Sequence, residues 1–259
     1  MLPLHGTGVL VTRPRHQAAV LCRLLEAQGA SVERFAAIEI EPIDERREWV
    51  ARLGDLKKFD LIIFSSANAV RYGAALLEQR RDLPLAAIGP ATARALNQAG
   101  YRVSVQSSEG ADSESLLRHP KLNAVAGERV LLVKGTHGRE LLEQELVRRG
   151  AEIAVAEVYR RECARPSEAE MRTLETRYAA HENDAVTATS VEIAANLLAL
   201  ATPRLRRAFD AVHWVVPSER VAQSLRDGGV MGPSLFARSA SDQDLVSALI
   251  DWRAGESGA

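Results

Sequence analysis

Short apolar runs alternate with amphipathic stretches along the whole chain. Residues 9–11 have the pattern of a buried strand, and Ala18, Leu21 and Leu25 then recur at the three- to four-residue spacing of a helix packed on one face. Gly29 is placed to end that helix. The same succession of strand, turn and helix begins again with the apolar runs at 61–64, 85–88, 130–133, 185–188 and 214–216. Strands that alternate with helices predict parallel sheets covered by helices on both faces.

The pattern is also duplicated. Residues 9–32 align without a gap to residues 130–153, and seven of these 24 positions are identical. Three weaker matches follow in the same order, and the offset between the copies grows slightly from each match to the next. Chance similarity does not keep its order in this way. We therefore predict two copies of one α/β module, with a site shared between them as the first place to look for function.

Two extended stretches, 38–41 and 158–162, alternate polar and apolar residues and are typical of connectors. We expect them to pair with each other as a two-stranded hinge between the modules.

The length is enough for one large domain or two of ordinary size, and the duplication favours two. The composition is that of a globular protein. The 259 residues are 46% hydrophobic and 26% charged, with a formal net charge of −1. A dedicated nucleic-acid or membrane-surface binder is usually clearly basic, so neither partner is expected. The sequence has no apolar run long enough to span a membrane and no export signal at its start, which predicts a cytoplasmic protein.

Six turns stand between the end of a predicted strand and the start of a helix. Parallel sheets bind ligands there, because backbone N–H groups and positive helix ends converge. A helix cap is the better interpretation of any one hydroxyl in these turns. For the set as a whole we favour an anion-binding cleft lined by small and hydroxyl-bearing residues: Thr12, Ser65, Ser66, Thr92, Gly135, Thr136, Thr189, Ser190 and Ser218.

Several cations lie on or near the same turns and could pair with carboxylates or phosphates. Arg13, Lys134 and Arg139 are the candidates for contact with a ligand. For Arg15 and Arg161 a solvated positive face is the better interpretation.

Familiar cofactor motifs are missing from the sequence. Neither G-x-G-x-x-G nor G-x-x-x-x-G-K-[ST] occurs, the histidines show no zinc-type spacing, and no serine lies in a G-x-S-x-G turn. An enzyme with this sequence is expected to work without a metal or a nucleotide.

At this point the ordered motifs VLVTRP, FSSANAV, AIGPATARAL, VKGTHGRELL, EVYRR and VVPSERVA resemble those of the uroporphyrinogen-III synthase family, over nearly the whole chain. The family's usual Thr-Ser in the second motif is Ser65-Ser66 here. The resemblance implies two similar flavodoxin/Rossmann-like lobes joined by a two-stranded β-ladder, with a ligand cleft between the lobes. One lobe would comprise 1–37 and 163–259, the other 42–157.

The resemblance also implies a reaction. Enzymes of this family are cyclising hydro-lyases that close linear hydroxymethylbilane to a macrocycle, invert ring D and release water, without a cofactor. Tyr159 matches the family's tyrosine in the EVYRR motif and is expected to help the hydroxyl leave; a tyrosine merely packed in the hinge is the alternative. The ligand-facing hydroxyls of the family match Ser66, Thr92, Ser190 and Ser218. A monomer that transiently contacts the upstream deaminase is expected.

Two other functions are the competing hypotheses. One is a non-catalytic two-lobed protein that binds a small polyanion, and the missing export signal counts against it. The other is a regulatory module of the receiver type, which would need an acidic cluster at the strand ends where this chain has serine and threonine.

Overall fold

The computed structural model describes residues 1–43, 46–78, 80–107, 110, 112–136, 138, 140–180 and 182–256. Strands and helices alternate along it as the sequence predicted, with short 3-10 turns at Leu56–Lys58 and Ala74–Leu77. In chain order the elements are β1 (Gly8–Val11), α1 (Arg15–Ala27), β2 (Ser31–Arg34), β3 (Ile38–Pro42), α2 (Arg46–Leu53), β4 (Leu61–Phe64), α3 (Ala67–Gly73), β5 (Leu85–Ala87), α4 (Pro90–Gln98), β6 (Val105–Gln106), α5 (Ser113–Leu117), α6 (Pro120–Asn123), β7 (Arg129–Gly135), α7 (Leu141–Arg148), β8 (Glu152–Cys163), α8 (Glu168–Ala179), β9 (Ala185–Thr187), α9 (Val191–Leu200), α10 (Pro203–Phe209), β10 (His213–Val216), α11 (Glu219–Asp227), β11 (Ser234–Phe236) and α12 (Asp242–Glu256).

The chain folds into two compact units. Unit 1 contains Met1–Glu39 and Glu162–Ala259, and unit 2 contains Ile40–Arg161. The chain leaves unit 1 within β3 and returns to it within β8, and these two strands are neighbours in one sheet. The two stretches that the sequence marked as connectors therefore lie side by side.

Unit 1 is built on a five-stranded sheet in the order β11-β10-β9-β1-β2, with every pair parallel. All four residues of β1 are buried, as expected for a strand covered on both faces. On one face Leu21 and Leu25 of α1 pack with Leu245 and Leu249 of α12. The helical spacing of Leu21 and Leu25 is the pattern from which the sequence predicted α1.

Unit 2 is built on a six-stranded sheet in the order β3-β8-β7-β4-β5-β6, in which β8, β7, β4, β5 and β6 run parallel. Successive residues of β4 belong to opposite cores, with Ile62 and Phe64 in one and Leu61 and Ile63 in the other. The division follows because side chains alternate between the two faces of a strand. A continuous apolar run therefore supplies both faces of the sheet.

The duplication in the sequence is a duplication of structure. Gly8 pairs with Ser31 in the β1–β2 ladder, and Arg129 pairs with Glu152 in the β7–β8 ladder, at the same offset as in the alignment of the two copies. The order β2-β1-β9-β10-β11 in unit 1 is repeated as β8-β7-β4-β5-β6 in unit 2. Each unit is thus one copy of the module, assembled from a different order of chain segments.

One predicted boundary is wrong. The sequence indicated a turn at Lys134, Gly135 and Thr136, but β7 continues through Gly135 and only Thr136 is in a turn. The strand can continue because the stem of Lys134 is buried and Gly135 has no side chain. The ladder shifts its register between these two residues, and Gly135 pairs with Tyr159 of β8.

Candidate active site

The phenol of Tyr159 is held by several contacts near the carboxyl end of β7. Tyr159 is 4% exposed, and its hydroxyl lies 3.1 Å from Ser66 Oγ. Its ring lies against Gly135 so closely that a Cβ on that glycine would be 2.5 Å from the ring Cζ. The ring of Tyr72 packs beside it with centroids 6.0 Å apart, and the Tyr72 hydroxyl donates to the Ile40 carbonyl at 2.9 Å. These contacts hold the phenol in one orientation.

The Ser65-Ser66 turn follows the carboxyl end of β4. The Ser65 N–H donates to the Val133 carbonyl at 3.0 Å, which ties the turn to β7. Ser66 Oγ caps α3 by accepting from the Ala69 N–H at 3.0 Å. Either hydroxyl of the Ser66–Tyr159 pair can be the donor, so one of the two protons remains available to a third group. The pair can therefore donate a hydrogen bond to a ligand.

Two further predicted site residues of unit 2 are buried. Thr92 lies in the first turn of α4, whose N-cap is Gly89, and is 4% exposed. Lys134 is 8% exposed, and its Nζ lies 3.4 Å from Glu143 Oε2. The positive charge of Lys134 therefore already has a carboxylate partner. A ligand carboxylate at Lys134 would have to share it with Glu143.

Unit 1 places the other predicted hydroxyls at the carboxyl ends of β9 and β10. Thr189 and Ser190 are both half-buried. Ser190 caps α9 by accepting from the Ile193 N–H at 3.2 Å. Ser218 occupies the same position on α11 with an extended backbone, but its side chain makes no capping bond to the described residues. The Ser218 hydroxyl is therefore better placed than that of Ser190 to bind a ligand.

Arg13 has a structural role in unit 1. Its guanidinium forms an ion pair with Asp242 and donates to the Ala240 carbonyl, and its side chain is 13% exposed. These contacts join the turn after β1 to the start of α12. The partners lie far away in the sequence, so no local pattern pointed to them. Substrate contact by Arg13 stays a prediction, and Arg139 lies outside the described residues.

Sequence reasoning did not select two residues that contact Tyr159. Tyr72 lies on α3 and gives no sequence signal, because its partners on β3 and β8 meet it only in the folded unit. Thr136 was among the turn hydroxyls but not among the selected site residues. Its N–H donates to the Tyr159 carbonyl at 2.9 Å, and its buried Oγ1 has no hydrogen-bond partner in the described part of the chain.

The chemistry that these groups offer is hydrogen bonding and anion binding. The helices α3, α4, α9 and α11 begin at the carboxyl edges of the two sheets, where their N–H groups and dipoles favour negative charge. Among the residues that the structure describes, no three histidine, cysteine or acidic side chains are grouped as metal ligands. Within the same ranges, no helix has both the length and the apolar character needed to cross a membrane.

Sequence comparisons identify the relatives of this chain. The family model described as uroporphyrinogen-III synthase HemD matches residues 19–247. The uroporphyrinogen-III synthase of Escherichia coli K12 is 32% identical over 233 residues, which cover 86% of this chain and 92% of that protein. The synthase of Salmonella typhimurium LT2 is 33% identical over 234 residues, with the same coverage.

Solved structures show the same fold. A mutant uroporphyrinogen III synthase from Thermus thermophilus superposes with a TM-score of 0.59 at 22% identity, covering 98% of this chain and all of that one. The synthetase from Helicobacter pylori gives a TM-score of 0.64 at 15% identity, covering 95% of this chain and 99% of that one. The family model matches most of the chain, and the two sequence relatives match it along nearly their whole length, which decides the assignment. The chain belongs to the uroporphyrinogen-III synthase family.

Proposed function

We propose that this chain converts hydroxymethylbilane to uroporphyrinogen III in tetrapyrrole and haem biosynthesis. The reaction closes the macrocycle, inverts ring D and releases one water. The family match over residues 19–247 is the observation on which this proposal rests. The hydrogen-bonded pair of Tyr159 and Ser66 agrees with it, because it places a donor beside a turn suited to anions.

Substrate binding is assigned to the turns at the carboxyl edges of both sheets. The substrate carries eight carboxylates, and hydroxyls and helix N-termini bind such groups without a metal. We infer substrate contacts at both edges, because residues that match the family's ligand-facing motifs lie in both units. The residues proposed for these contacts are Arg13, Ser65, Ser66, Thr92, Lys134, Gly135, Arg139, Thr189, Ser190 and Ser218.

Tyr159 is assigned to the departure of the hydroxyl group. Its phenol donates a hydrogen bond to that oxygen as the C–O bond breaks, and the oxygen leaves as water. The carbon left behind is a resonance-stabilised cation, so a strong acid is not needed. Ring D then attacks this carbon through its substituted position and forms a spiro intermediate. The bond from that position to the original bridging carbon breaks, and the bridging carbon re-attaches at the free α carbon of ring D. That α carbon then loses its proton, which balances the proton taken up when the hydroxyl left as water.

The remaining task of the enzyme is geometric. In water the same cation closes without inversion and gives the symmetric type I isomer. Holding the reacting carbons in a near-attack arrangement is therefore enough to change the product, and such positioning contributes large rate factors. A proposed site made of binding groups and one phenol agrees with this task.

Product analysis tests the proposal directly. Hydroxymethylbilane is generated in situ by its deaminase in the presence of this protein, the products are oxidised, and the type I and type III isomers are separated by chromatography. We expect type III in excess, and type I alone with heat-inactivated protein. Type I alone at an excess of native protein would contradict catalysis and leave only a protein that binds a small polyanion.

Four further assignments accompany the function. We propose that residues 1–37 together with 163–259 form one lobe and residues 42–157 the other, with 38–41 and 158–162 as connectors.

We propose a monomeric protein that works in the cytoplasm and binds the deaminase only transiently. Light scattering during gel filtration tests the oligomeric state, because a mass of two chains would exclude the monomer. Faster type III formation with coupled deaminase than with added substrate would support the transient contact.

A further inference from the structure

Phe236 is an exposed aromatic side chain at the carboxyl end of β11. It is 54% exposed, whereas the other four phenylalanines of the chain are at most 5% exposed. β11 is the edge strand of the sheet of unit 1, so no strand that the structure describes covers its outer side. A single exposed apolar side chain is common on protein surfaces, so its exposure gains meaning only from its position.

The pairing of β11 with β10 places Phe236 beside the Ser218 turn. Phe236 is paired in register with Val216, and the Ala237 N–H donates to the Val216 carbonyl at 2.9 Å. Ser218 follows Val216 by two residues and is the N-cap of α11. Because parallel strands end at the same edge of a sheet, Phe236 lies at the edge where substrate binding is proposed.

The ring also lies on the face of the sheet on which α11 packs. Leu235 and Ala237 pack with residues of α1 and α12 in one core, so the alternation of side chains directs Phe236 to the opposite face. The connections β1–α1–β2 and β10–α11–β11 advance in opposite directions across the sheet. Since such connections are right-handed, α1 and α11 lie on opposite faces. Phe236 and the Ser218 cap of α11 therefore share one face and one edge.

The other copy of the module shows that the fold does not require an aromatic ring at this position. In unit 2, β6 takes the place of β11, and Gln106 is paired with Ala87 as Phe236 is paired with Val216. Ala87 and Val216 each precede the N-cap of the next helix by two residues. Gln106 is exposed as well. The exposed ring is therefore a property of unit 1 and not of the module.

A cation follows the ring two residues later. Arg238 is exposed, and its guanidinium forms neither a hydrogen bond nor an ion pair within the ranges that the structure describes. Asp244 is near enough to be affected by its charge, but hydrogen bonds from the Ser239 and Ser241 hydroxyls are the main reason that the pKa of Asp244 is lowered. The guanidinium of Arg238 is thus available to an anionic group.

We propose that Phe236 and Arg238 together bind one pyrrole ring of the substrate and its carboxylates, a contact that rests on the function proposed above. Each ring of hydroxymethylbilane is flat and carries acetate and propionate groups, so it presents an apolar surface beside negative charge. The phenyl ring of Phe236 packs against the pyrrole. The guanidinium of Arg238 donates charge-assisted hydrogen bonds to a carboxylate of the same ring.

Steady-state kinetics of type III formation test the aromatic contact. Phe236→Gln introduces the residue that the other copy has at this place, so the protein should fold. We expect KM for hydroxymethylbilane to rise about fivefold, with a smaller change in kcat, because a binding contact is lost. Phe236→Tyr keeps the ring and should keep the KM of the parent. Met231→Gln is the control, because Met231 is 83% exposed but lies before the amino end of β11. An unchanged KM in Phe236→Gln, or an equal rise in Met231→Gln, would overturn the proposal.

Salt dependence tests the contribution of the cation. We expect Arg238→Gln to raise KM about threefold at low ionic strength, and the difference from the parent should shrink as salt is added. Arg204→Gln removes an exposed cation of α10, which precedes the amino end of β10, and should leave KM unchanged. A KM for Arg238→Gln equal to that of the parent at low ionic strength would contradict the role of Arg238.

Binding of uroporphyrinogen III, the proposed product, gives a measurement that needs no turnover. The reduced product is titrated under nitrogen into the ¹⁵N-labelled whole chain, and the amide signals of Phe236 and Arg238 are followed. We expect saturable shifts, with affinity about fivefold weaker in Phe236→Gln.

The two measurements separate this contact from the proposed function. If the parent binds the product in this way but forms only type I, the function is wrong and the contact stands. If the parent forms type III while Phe236→Gln matches it in KM and in affinity, the contact alone is wrong. A parent that neither binds the product nor forms type III contradicts both.

Discussion

At the scale of single residues, the position of Tyr159 is determined by what surrounds its ring and its hydroxyl. Gly135 lies against one part of the ring, and Ser66 holds the hydroxyl. The sequence predicted the tyrosine and the serine through the order of the motifs. It could not predict the support from Tyr72 or the pairing of Arg13 with Asp242, because these contacts join residues from distant parts of the chain.

Removal of the Tyr159 hydroxyl tests its catalytic role. We expect Tyr159→Phe to lower kcat for type III formation about tenfold, since one hydrogen bond to the leaving oxygen is lost. Folding should be nearly unchanged, because Ser66 still caps α3. Tyr101→Phe is the matched control, because it removes the hydroxyl of another buried tyrosine, which donates to the Ala74 carbonyl at 3.5 Å, and it should leave kcat close to that of the parent. If kcat is unchanged in Tyr159→Phe, the tyrosine has only a packing role.

The close approach at Gly135 gives a second prediction. We expect Gly135→Ala to lower the free energy of unfolding by about 1–3 kcal/mol, because the new methyl group would overlap the ring of Tyr159. Type III formation should fall as well, since the phenol must move. Gly138→Ala is the control, because a Cβ there would meet its nearest atom at 3.6 Å. Chemical denaturation and product analysis would measure both effects, and equal stability of the two variants would contradict the proposed contact.

At the scale of helices and strands, three serines occupy N-cap positions after a strand but have different roles. Ser66 and Ser190 cap α3 and α9, whereas Ser218 makes no capping bond on α11 within the described structure. The sequence predicted all three positions, because a hydroxyl between a strand and a helix is typical of caps. It could not distinguish them, since rotation about a single side-chain bond decides whether the hydroxyl bonds to its own helix.

Because only Ser190 caps its helix, replacing Ser190 and replacing Ser218 should affect different properties of the protein. We expect Ser190→Ala to lower the free energy of unfolding by about 1 kcal/mol through loss of a cap. Ser218→Ala should stay within about 0.5 kcal/mol of the parent and instead raise KM for hydroxymethylbilane. Urea unfolding and steady-state kinetics measure the two effects. The same loss of stability in both variants would show that Ser218 caps α11 in solution.

The start of α8 predicts how the folding stability changes at acidic pH. Glu170 closes a capping box with Ser167 and pairs with Arg15 at 2.5 Å, and the bond to Arg15 is the main reason that its pKa is lowered to about 2. A lowered carboxyl pKa adds stability above the ordinary pKa of 4.5, and this contribution is lost as the pH falls toward 2. Because the pair is exposed, the contribution should be about 1 kcal/mol or less.

Thermal unfolding between pH 7 and pH 2 checks this prediction. Glu170→Gln should be less stable than the parent at neutral pH, and the difference should vanish near pH 2. Glu168→Gln, in the same helical turn but 91% exposed, is the control and should follow the parent throughout. A difference between Glu170→Gln and the parent that does not change with pH would rule out the ionised form of Glu170 as its source.

At the scale of the whole molecule, the two copies of the module differ in how the chain supplies them. Unit 2 is continuous, whereas unit 1 combines Met1–Glu39 with Glu162–Ala259. The repeat predicted two modules and parallel sheets. Because residues 9–32 match residues 130–153, the repeat places its boundary before the second copy, near residue 125. Only the connectors and the family resemblance indicated exchanged segments. Local periodicity cannot reveal such an exchange, because each strand–helix segment has the same pattern in either unit.

Fragments distinguish the two divisions of the chain. We expect residues 40–161 to fold alone into a cooperative α/β domain, because both cores of unit 2 lie inside this range. Fragments 1–125 and 126–259, cut at the repeat boundary, should not fold separately, since the cut parts β7 from its partner β4. Circular dichroism and dispersion of amide resonances provide the measurement. Cooperative folding of 126–259 would contradict the division.

The interrupted path of unit 1 also has a consequence for synthesis on the ribosome. β1 lies between β2 and β9 in the finished sheet, yet β9 emerges only after all of unit 2 has been translated. One edge of β1 therefore stays unpaired for a time on the order of ten seconds, until β9 has been translated. An unpaired apolar strand can form non-native pairs with other strands. We expect nascent chains arrested after residue 161 to contain a protease-resistant unit 2 and a protease-sensitive start, which a chaperone would protect until the last strands arrive.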